Sequence, residues 1–529
     1  MPIEAVSEWK PKFNPWLIAV VVAMAAFMEV LDTSIANVAL PHIAGNLGAS
    51  LDQGTWVLTT YLVANAIVLP ITGWITSVMG RKRFFLICIA MFTTASLLCG
   101  MAPSFGFLLF ARAIQGAGGG GMQPMAQAIM ADSFPPKLRG LAFALFGITV
   151  IVAPALGPTL GGWITDNYSW RWIFLINLPV GLMALSLISQ LVEDPPFLRR
   201  FKAGEMRLDY VGLSMLVLGI SALQIMLDKG QEDDWLASHF IGTLAVAAVV
   251  CLAFLAIWEW HEKNPIVDVR LFKSFNFATS CMMMFFAGII SFTSGVLMPQ
   301  YLQSFMGYTA QSAGLVVSAG AAIMLVMMPL AGILTAWVPA KYLMAFGWLA
   351  SALAMYWSTR VLSMNISIGT AALMMMIQFA PIAFIFVPAI TASYLGLPQD
   401  RSDTVSGLTN FMRNIGSSVG TSLVVTVLAR RSQFHLARMA DHTSIGDAGF
   451  VDQIQGLAYA SHVQSAGVGM ADAQSGALTR IYQLVVAQAW TLSYNDAYFL
   501  MGAASVIMLI LSFFLKTNDP RHTEQHAAH

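Results

Sequence analysis

Long apolar stretches recur along most of this chain, and they restrict what it can fold into. A helix needs about 20 apolar residues to cross the ~30 Å hydrocarbon core of a bilayer. The chain has 529 residues, 57% of them hydrophobic and only 10% charged, with a mean hydropathy of +0.70. Soluble domains carry about 25% charged residues. The sequence therefore predicts an all-α integral membrane protein.

Fourteen stretches reach the length of a membrane span, and an even number places both termini on the same side. Loops on the side of the N-terminus hold eighteen Lys and Arg residues, whereas the short opposite loops hold only Arg171, Lys229 and Arg360. Basic residues stay on the cytoplasmic side, so both termini are predicted to be cytoplasmic. The predicted spans are 16–38, 55–78, 84–102, 106–131, 140–163, 171–192, 209–228, 238–260, 276–299, 311–336, 342–361, 369–395, 405–428 and 497–515.

Two basic connectors, 193–208 and 261–275, divide the spans into groups of six, two and six. Two six-helix bundles with an inserted helix pair are typical of transporters built from parallel repeats. The predicted division is a first bundle at 1–200, an inserted pair with its connectors at 201–270, and a second bundle at 271–529.

Residues 429–496 form a predicted external segment that is too long for a simple turn. Within it, "LTRIYQLVVAQAW" (478–490) is compatible with an amphipathic helix that lies on the membrane surface or on a partner. We expect the segment to help dock a partner protein on the external side, with a loose loop as the alternative.

Several function classes find no support in the sequence. The net charge is zero and the pI about 7.1, which gives no electrostatic reason to expect nucleic acid. The run "GAGGGG" (116–121) follows no strand and lies inside an apolar span, so it predicts close helix packing rather than a dinucleotide site. No phosphate-binding loop of the G-x-x-x-x-G-K-[ST] type occurs, the cysteine spacing matches no metal motif, and no histidine lies clearly within a span. An enzyme, a metal site and a cofactor are therefore not expected.

Two acids in the first span, Glu29 and Asp32, need an explanation, because a charge at the bilayer centre is costly and usually marks an ion or substrate pathway. Measured at 1.5 Å per residue, Arg112 of the fourth span lies at the same depth. Two acids that share one arginine cannot both be comfortably ionised, so one is predicted to hold an exchangeable proton. The alternative is a static ion pair that only fixes helix packing.

Polar residues recur at helical spacing within three spans and predict a polar interior between the helices. The alternative for each is a hydrogen bond between helices. The candidate substrate contacts are Asn37, Gln115, Gln123, Asn410 and Asn414. In the fifth span, "APALGPTLGG" (153–162) predicts either a kinked packing helix or a gating element, carried by Gly157, Pro158, Gly161 and Gly162.

Taken together, "LDTSIANVALP" (31–41), "GWITSVMGRKR" (73–83), "LLFARAIQG" (108–116) and "APALGPTLGG" resemble, in their order and spans, the motifs of the major facilitator superfamily. Fourteen spans and "WRWIFLINLPVG" (170–181) are similar to the fourteen-span drug:proton antiporters, and the chain from about 15 to 516 resembles the EmrB-type inner-membrane pumps.

This resemblance implies proton-driven export of hydrophobic or amphipathic drugs across a bacterial inner membrane, with the proton gradient as energy source and no cofactor. It also implies a periplasmic EmrA-like adaptor and a TolC-type outer-membrane channel. Asp32 matches the family's motif acid and is expected to carry the proton, with Glu29 and Arg112 tuning it. An exporter or uniporter of one metabolite is the alternative.

The loop motif departs from the family pattern. It usually carries an acid where this chain has Ser77, so the resemblance alone does not predict a charge-relay latch at that loop. The basic trio Arg81–Lys82–Arg83 is then left with the setting of topology as its role.

Overall fold

The computed structural model describes residues 9–198, 209–441, 448–464 and 470–515, and within these ranges the chain forms helices and no strand. Eleven of the described helices are long and apolar enough to cross a membrane, and they coincide with eleven of the predicted spans. The all-α membrane fold is thus confirmed. The other three predicted spans lie on helices that are interrupted or more polar, so the count of fourteen stays a prediction.

The described helices are labelled in chain order, leaving out a one-turn helix (Leu51–Gly54) and three short 3-10 turns (Trp235–Ala237, Val269–Lys273 and Gln399–Arg401). Three of the labelled helices are broken by one or two residues and are given in two parts. They are α1 Pro15–Leu47, α2 Trp56–Met79, α3 Arg81–Gly100, α4 Phe105–Gly120 and Met122–Ser133, α5 Pro136–Asn167, α6 Trp172–Leu175 and Asn177–Leu191, α7 Tyr210–Lys229, α8 His239–His261, α9 Phe275–Ser304, α10 Ala310–Leu334, α11 Ala340–Val361, α12 Ile368–Phe379 and Ile382–Ser393, α13 Ser402–Ala440, α14 Ala448–Gln464, and α15 Met470–Ser512.

The first helix shows how local sequence sets an element. The Asn14 side chain caps it by accepting a hydrogen bond from the backbone N–H of Trp16 (2.9 Å), and Pro15 occupies the first turn. It ends at Gly48, whose left-handed φ of 68° suits glycine. The helix continues through Pro41 to Leu47, beyond the predicted end at residue 38.

Glycines in α4 let three helices approach closely, as the sequence predicts. A Cβ on Gly116 would lie 2.3 Å from the carbonyl oxygen of Tyr61, and one on Gly118 would lie 2.8 Å from that of Cys88. Backbone atoms cannot move aside cheaply, so α2 and α3 reach these positions only because side chains are missing there. The prediction that "GAGGGG" serves packing is confirmed.

The two halves of the chain meet along α2 and α13 and along α5 and α10. The inserted helix α7 lies beside this junction and contacts both sides: Asp228 hydrogen-bonds Thr59 of α2, and Gln224 donates to Ser418 of α13 (2.9 Å). Helix α7 therefore bridges the junction of the two halves. The predicted division at 200 and 270 stays a prediction.

The described residues of the external segment 429–496 belong to three helices, α13, α14 and α15. Residues 478–490 belong to α15, a single 43-residue helix that continues into the last predicted span and is ~64 Å long at 1.5 Å per residue. Trp490 stacks on Phe305, the residue that follows α9, with ring centroids 5.2 Å apart. The helix predicted at 478–490 is present as part of α15, and its position on a membrane surface or on a partner stays a prediction. Helix α14 packs against α15, while 442–447 and 465–469 lie outside the described residues.

Candidate transport site between the helices

A buried ion pair joins α1 to α4. Nη1 of Arg112 lies 2.7 Å from Oδ2 of Asp32, and both side chains are almost completely buried. Oδ1 of Asp32 accepts two further hydrogen bonds, from Nε2 of Gln115 (2.9 Å) and from Nδ2 of Asn177 on α6 (2.6 Å). Asp32, Arg112 and Gln115 thus meet as the sequence suggests, and α6 adds a donor.

Arg112 is held from several directions. Its Nε donates to the carbonyl oxygen of Val57 (3.1 Å), and its guanidinium lies 4.3 Å from the centre of the Tyr61 ring. A cation over an aromatic face is attracted to the ring's negative quadrupole. Arg112 therefore has one position within the core, set by α1, α2 and α4 together.

Glu29 lies in a second network, which shares Tyr61 with the first. Its carboxylate accepts hydrogen bonds from the hydroxyl of Tyr61 (2.9 Å) and from the side-chain amides of Asn65 (3.1 Å) and Gln123 (2.6 Å). The prediction that Glu29 shares Arg112 with Asp32 is wrong. Residues three apart on a helix differ by ~60° in direction and 4.5 Å in height, which is enough to give each acid its own partners.

The two amides around Glu29 also reach the second half of the chain. The Gln123 oxygen accepts a hydrogen bond from Nη2 of Arg413 on α13 (2.5 Å). The Asn65 oxygen accepts one from Nδ2 of Asn414, the next residue (3.2 Å). Each amide thus donates to Glu29 and accepts from α13. Glu29 is therefore linked to the opposite bundle through two neutral bridges.

The remaining candidate substrate contacts lie elsewhere. Asn410 is buried and donates to Gln127 of α4 (2.5 Å), one turn of α13 away from Asn414. Asn37 is exposed and belongs to neither network within the described residues. The structure thus brings Gln123 and Asn414 to Glu29, and Gln115 to Asp32. Asn410 and Asn37 lie apart from both acids.

The glycine–proline motif of α5 forms a close crossing with α1. Pro158 has no N–H, so the carbonyl of Pro154 lacks its usual partner within the helix. The hydroxyl of Ser34 supplies the missing hydrogen bond (2.9 Å). A Cβ on Gly157 would lie 2.1 Å from that hydroxyl oxygen, so the glycine is needed for the contact.

The other two glycines of the motif differ from each other. A Cβ on Gly161 would meet Ile35 of α1 at 3.1 Å, whereas one on Gly162 would meet no atom within 4 Å. The crossing is therefore built by Ser34, Gly157, Pro158 and Gly161.

A latch between the bundles exists despite the missing motif acid. Arg81, at the start of α3, is 1% exposed and pairs with Asp132 of α4 (2.8 Å) and with Asp403 of α13 (2.6 Å). Ser402 joins them by accepting from Arg81 (3.0 Å) and donating to Asp132 (2.9 Å). The latch that the departure at Ser77 left unpredicted is therefore present, and its acids come from α4 and α13. Arg81 therefore does more than set topology.

Sequence reasoning missed four residues that complete these networks. Tyr61 and Asn65 lie four positions apart in the second apolar span, a helical spacing that would have indicated a common face. Asn177 and Arg413 lie in other spans, and no local pattern connects them with the acids of α1.

Comparison with known proteins agrees with this architecture. The Major Facilitator Superfamily model matches residues 22–421. The chain is 38% identical over 500 residues to the multidrug export protein EmrB of Escherichia coli, covering 94% of this chain and 95% of that protein. It is 37% identical over 492 residues to the fatty acid resistance protein FarB of Neisseria gonorrhoeae, covering 92% and 93%.

Among solved structures, the chain resembles the proton:xylose symporter XylE bound to 6-bromo-6-deoxy-D-glucose. The TM-score is 0.59 at 13% identity, covering 96% of this chain and 97% of that one, which is a likeness of fold alone. The family model covers most of the chain, and the relatives match it over nearly their whole length. The chain therefore belongs to the major facilitator superfamily, among its EmrB-type multidrug transporters.

Proposed function

We propose that this multidrug efflux transporter is a proton-coupled antiporter that exports hydrophobic or amphipathic compounds across the bacterial inner membrane. The observation that carries the proposal is the buried pair of Asp32 and Arg112, placed between helices where charge is costly. The names of the relatives cover drugs and fatty acids, which share an apolar body. An exporter of one metabolite remains the alternative, and no described feature favours it.

In this mechanism Asp32 takes and releases the transported proton. Protonation of its carboxyl removes the charge that attracts Arg112, so the guanidinium is freed and the contacts among α1, α4 and α6 change. Glu29 responds separately, because its partners are two amides and a tyrosine rather than Arg112. Its bridges to α13 give it a route to act on the opposite bundle or to meet cationic substrates.

The test is Asp32→Asn in proteoliposomes with an imposed pH gradient. We expect the variant to bind drug and lose gradient-driven uphill transport, because asparagine keeps the shape of the side chain without a titratable proton. Glu29→Gln is the matched control. Retained uphill transport in Asp32→Asn, combined with its loss in Glu29→Gln, would assign the proton to Glu29.

We further propose that α14, with the ends of α13 and α15 that project beyond the spans, docks a periplasmic EmrA-like adaptor. A TolC-type outer-membrane channel would complete the export route. In this topology the docking helices are periplasmic and both termini are cytoplasmic. An open groove of about 510 Å³ between these helices is mainly apolar, lined by Met439, Leu457, Ile481 and Leu484 among others. Helical partners commonly bind such grooves through an apolar face.

The docking proposal is tested by replacing residues 442–469 with a short flexible linker, which leaves α15 in place. Co-purification of the adaptor should be lost while folding and drug binding in detergent persist. Full recovery of adaptor with the shortened chain would disprove docking at this segment.

A further inference from the structure

Arg413 is a cation within a predicted span, and its hydrogen-bond partners differ from those of the buried Arg81 and Arg112. It lies eleven residues into α13, ~16 Å from the start of that helix. Arg112 and Arg81 each have a carboxylate within 2.8 Å, whereas no ion pair to Arg413 occurs among the described residues. A charge held this deep normally has a paired partner or a function.

One hydrogen-bond donor of Arg413 has no acceptor among the described residues. Its Nη2 donates to the neutral amide of Gln123 (2.5 Å), while its Nε is buried and makes no hydrogen bond. Arg413 as a whole residue is half-buried and lies at the junction of the two halves. An arginine fork with one neutral contact and one unpaired donor is suited to a carboxylate, which accepts two parallel hydrogen bonds.

We propose that Arg413 binds the anionic head group of amphipathic substrates, with carboxylates as the preferred class. This inference rests on the proposed export function and names a substrate class and a residue for it. Gln123 is the group that a ligand displaces, because a carboxylate offers the guanidinium a full opposite charge and two parallel hydrogen bonds, whereas the amide offers one bond to a neutral oxygen. Gln123 keeps its hydrogen bond to Glu29.

The charge of Glu29 weakens anion binding at this site. Its carboxylate lies on the other side of the Gln123 amide from Arg413, so a bound anion would come close to a second negative charge. Like charges in a site of low dielectric repel each other strongly. Removal of the Glu29 charge should therefore strengthen anion binding, whereas removal of the Arg413 charge should weaken it.

The experiment compares three probes with the same twelve-carbon chain: dodecanoate, its methyl ester and dodecyltrimethylammonium. Binding to the full-length protein in nanodiscs is measured for wild type, Arg413→Gln, Arg413→Lys and Glu29→Gln. Arg430→Gln is the matched control, since Arg430 lies on the same helix and is exposed. We expect Arg413→Gln to bind dodecanoate about tenfold more weakly, the size of one charge-assisted hydrogen bond. Binding of the ester and the cation should be unchanged.

Arg413→Lys should retain part of the dodecanoate affinity, and Glu29→Gln should raise it. Equal dodecanoate affinity in wild type and Arg413→Gln would overturn the inference. An equal loss of affinity for all three probes in Arg413→Gln and Arg413→Lys would also overturn it, because Arg413 would then only hold the bundles together. Failure of the proposed function is a separate result: wild-type protein would bind dodecanoate selectively, yet a pH gradient would drive no export of any probe.

Discussion

Replacement of Arg81 by glutamine should open the contact between the bundles at the predicted cytoplasmic side. Asp132 and Asp403 come from different halves of the chain and face each other across Arg81. The substitution leaves these two acids together in a buried site without their shared cation. The two carboxylates repel each other across the junction of the halves. The substitution therefore destabilises the closed conformation, in which the halves are in contact at this point.

The magnitude follows from the burial of the pair. Arg81 is 1% exposed, and Asp132 and Asp403 are 4% and 5% exposed. Removing one partner from a buried ion pair costs about 3–5 kcal/mol, because a charge stays behind without compensation. Since each 1.4 kcal/mol is a factor of ten, the ratio of closed to open conformers should fall at least about a hundredfold. Adding Asp403→Asn to the same chain removes the repulsion and should restore part of the closed population.

Single-molecule energy transfer measures this ratio. Fluorophores on cysteines at Leu138 and Tyr342, which are exposed and lie in opposite halves, report the separation in a cysteine-free background. Lys82→Gln is the control, because Lys82 carries a neighbouring charge and its side chain donates to the carbonyl oxygen of Ser189 in its own half. An unchanged distribution in Arg81→Gln, or one that Lys82→Gln reproduces, would refute the reasoning.

Two further predictions concern the crossing of α1 and α5. Gly157→Ala should abolish transport and lower thermal stability, because the new methyl group would lie 2.1 Å from the Ser34 hydroxyl; Gly162→Ala, which meets no atom within 4 Å, should behave like wild type in both assays. Ser34→Ala should lower the free energy of unfolding by about 1–3 kcal/mol, since the partly buried carbonyl of Pro154 loses its partner; a melting temperature equal to that of wild type would contradict this role.

Much of the fold could be predicted from the sequence, because insertion in a bilayer depends on local composition. Runs of apolar residues predicted the eleven apolar helices that the described residues form, and "GAGGGG" predicted the close packing of α4. Two acids in one span predicted a site at Glu29 and Asp32, because buried charge needs a local reason wherever it occurs.

Only the tertiary structure decided which partner each charge receives. Glu29 and Asp32 were predicted to share Arg112, yet Glu29 binds amides that continue to Arg413. Likewise Arg81 finds its acids on α4 and α13, the latter more than three hundred residues along the chain. Hydropathy fixes the depth of a residue, but its direction around the helix axis and the crossing of neighbouring helices decide what it touches. Those quantities arise only when all the helices pack together.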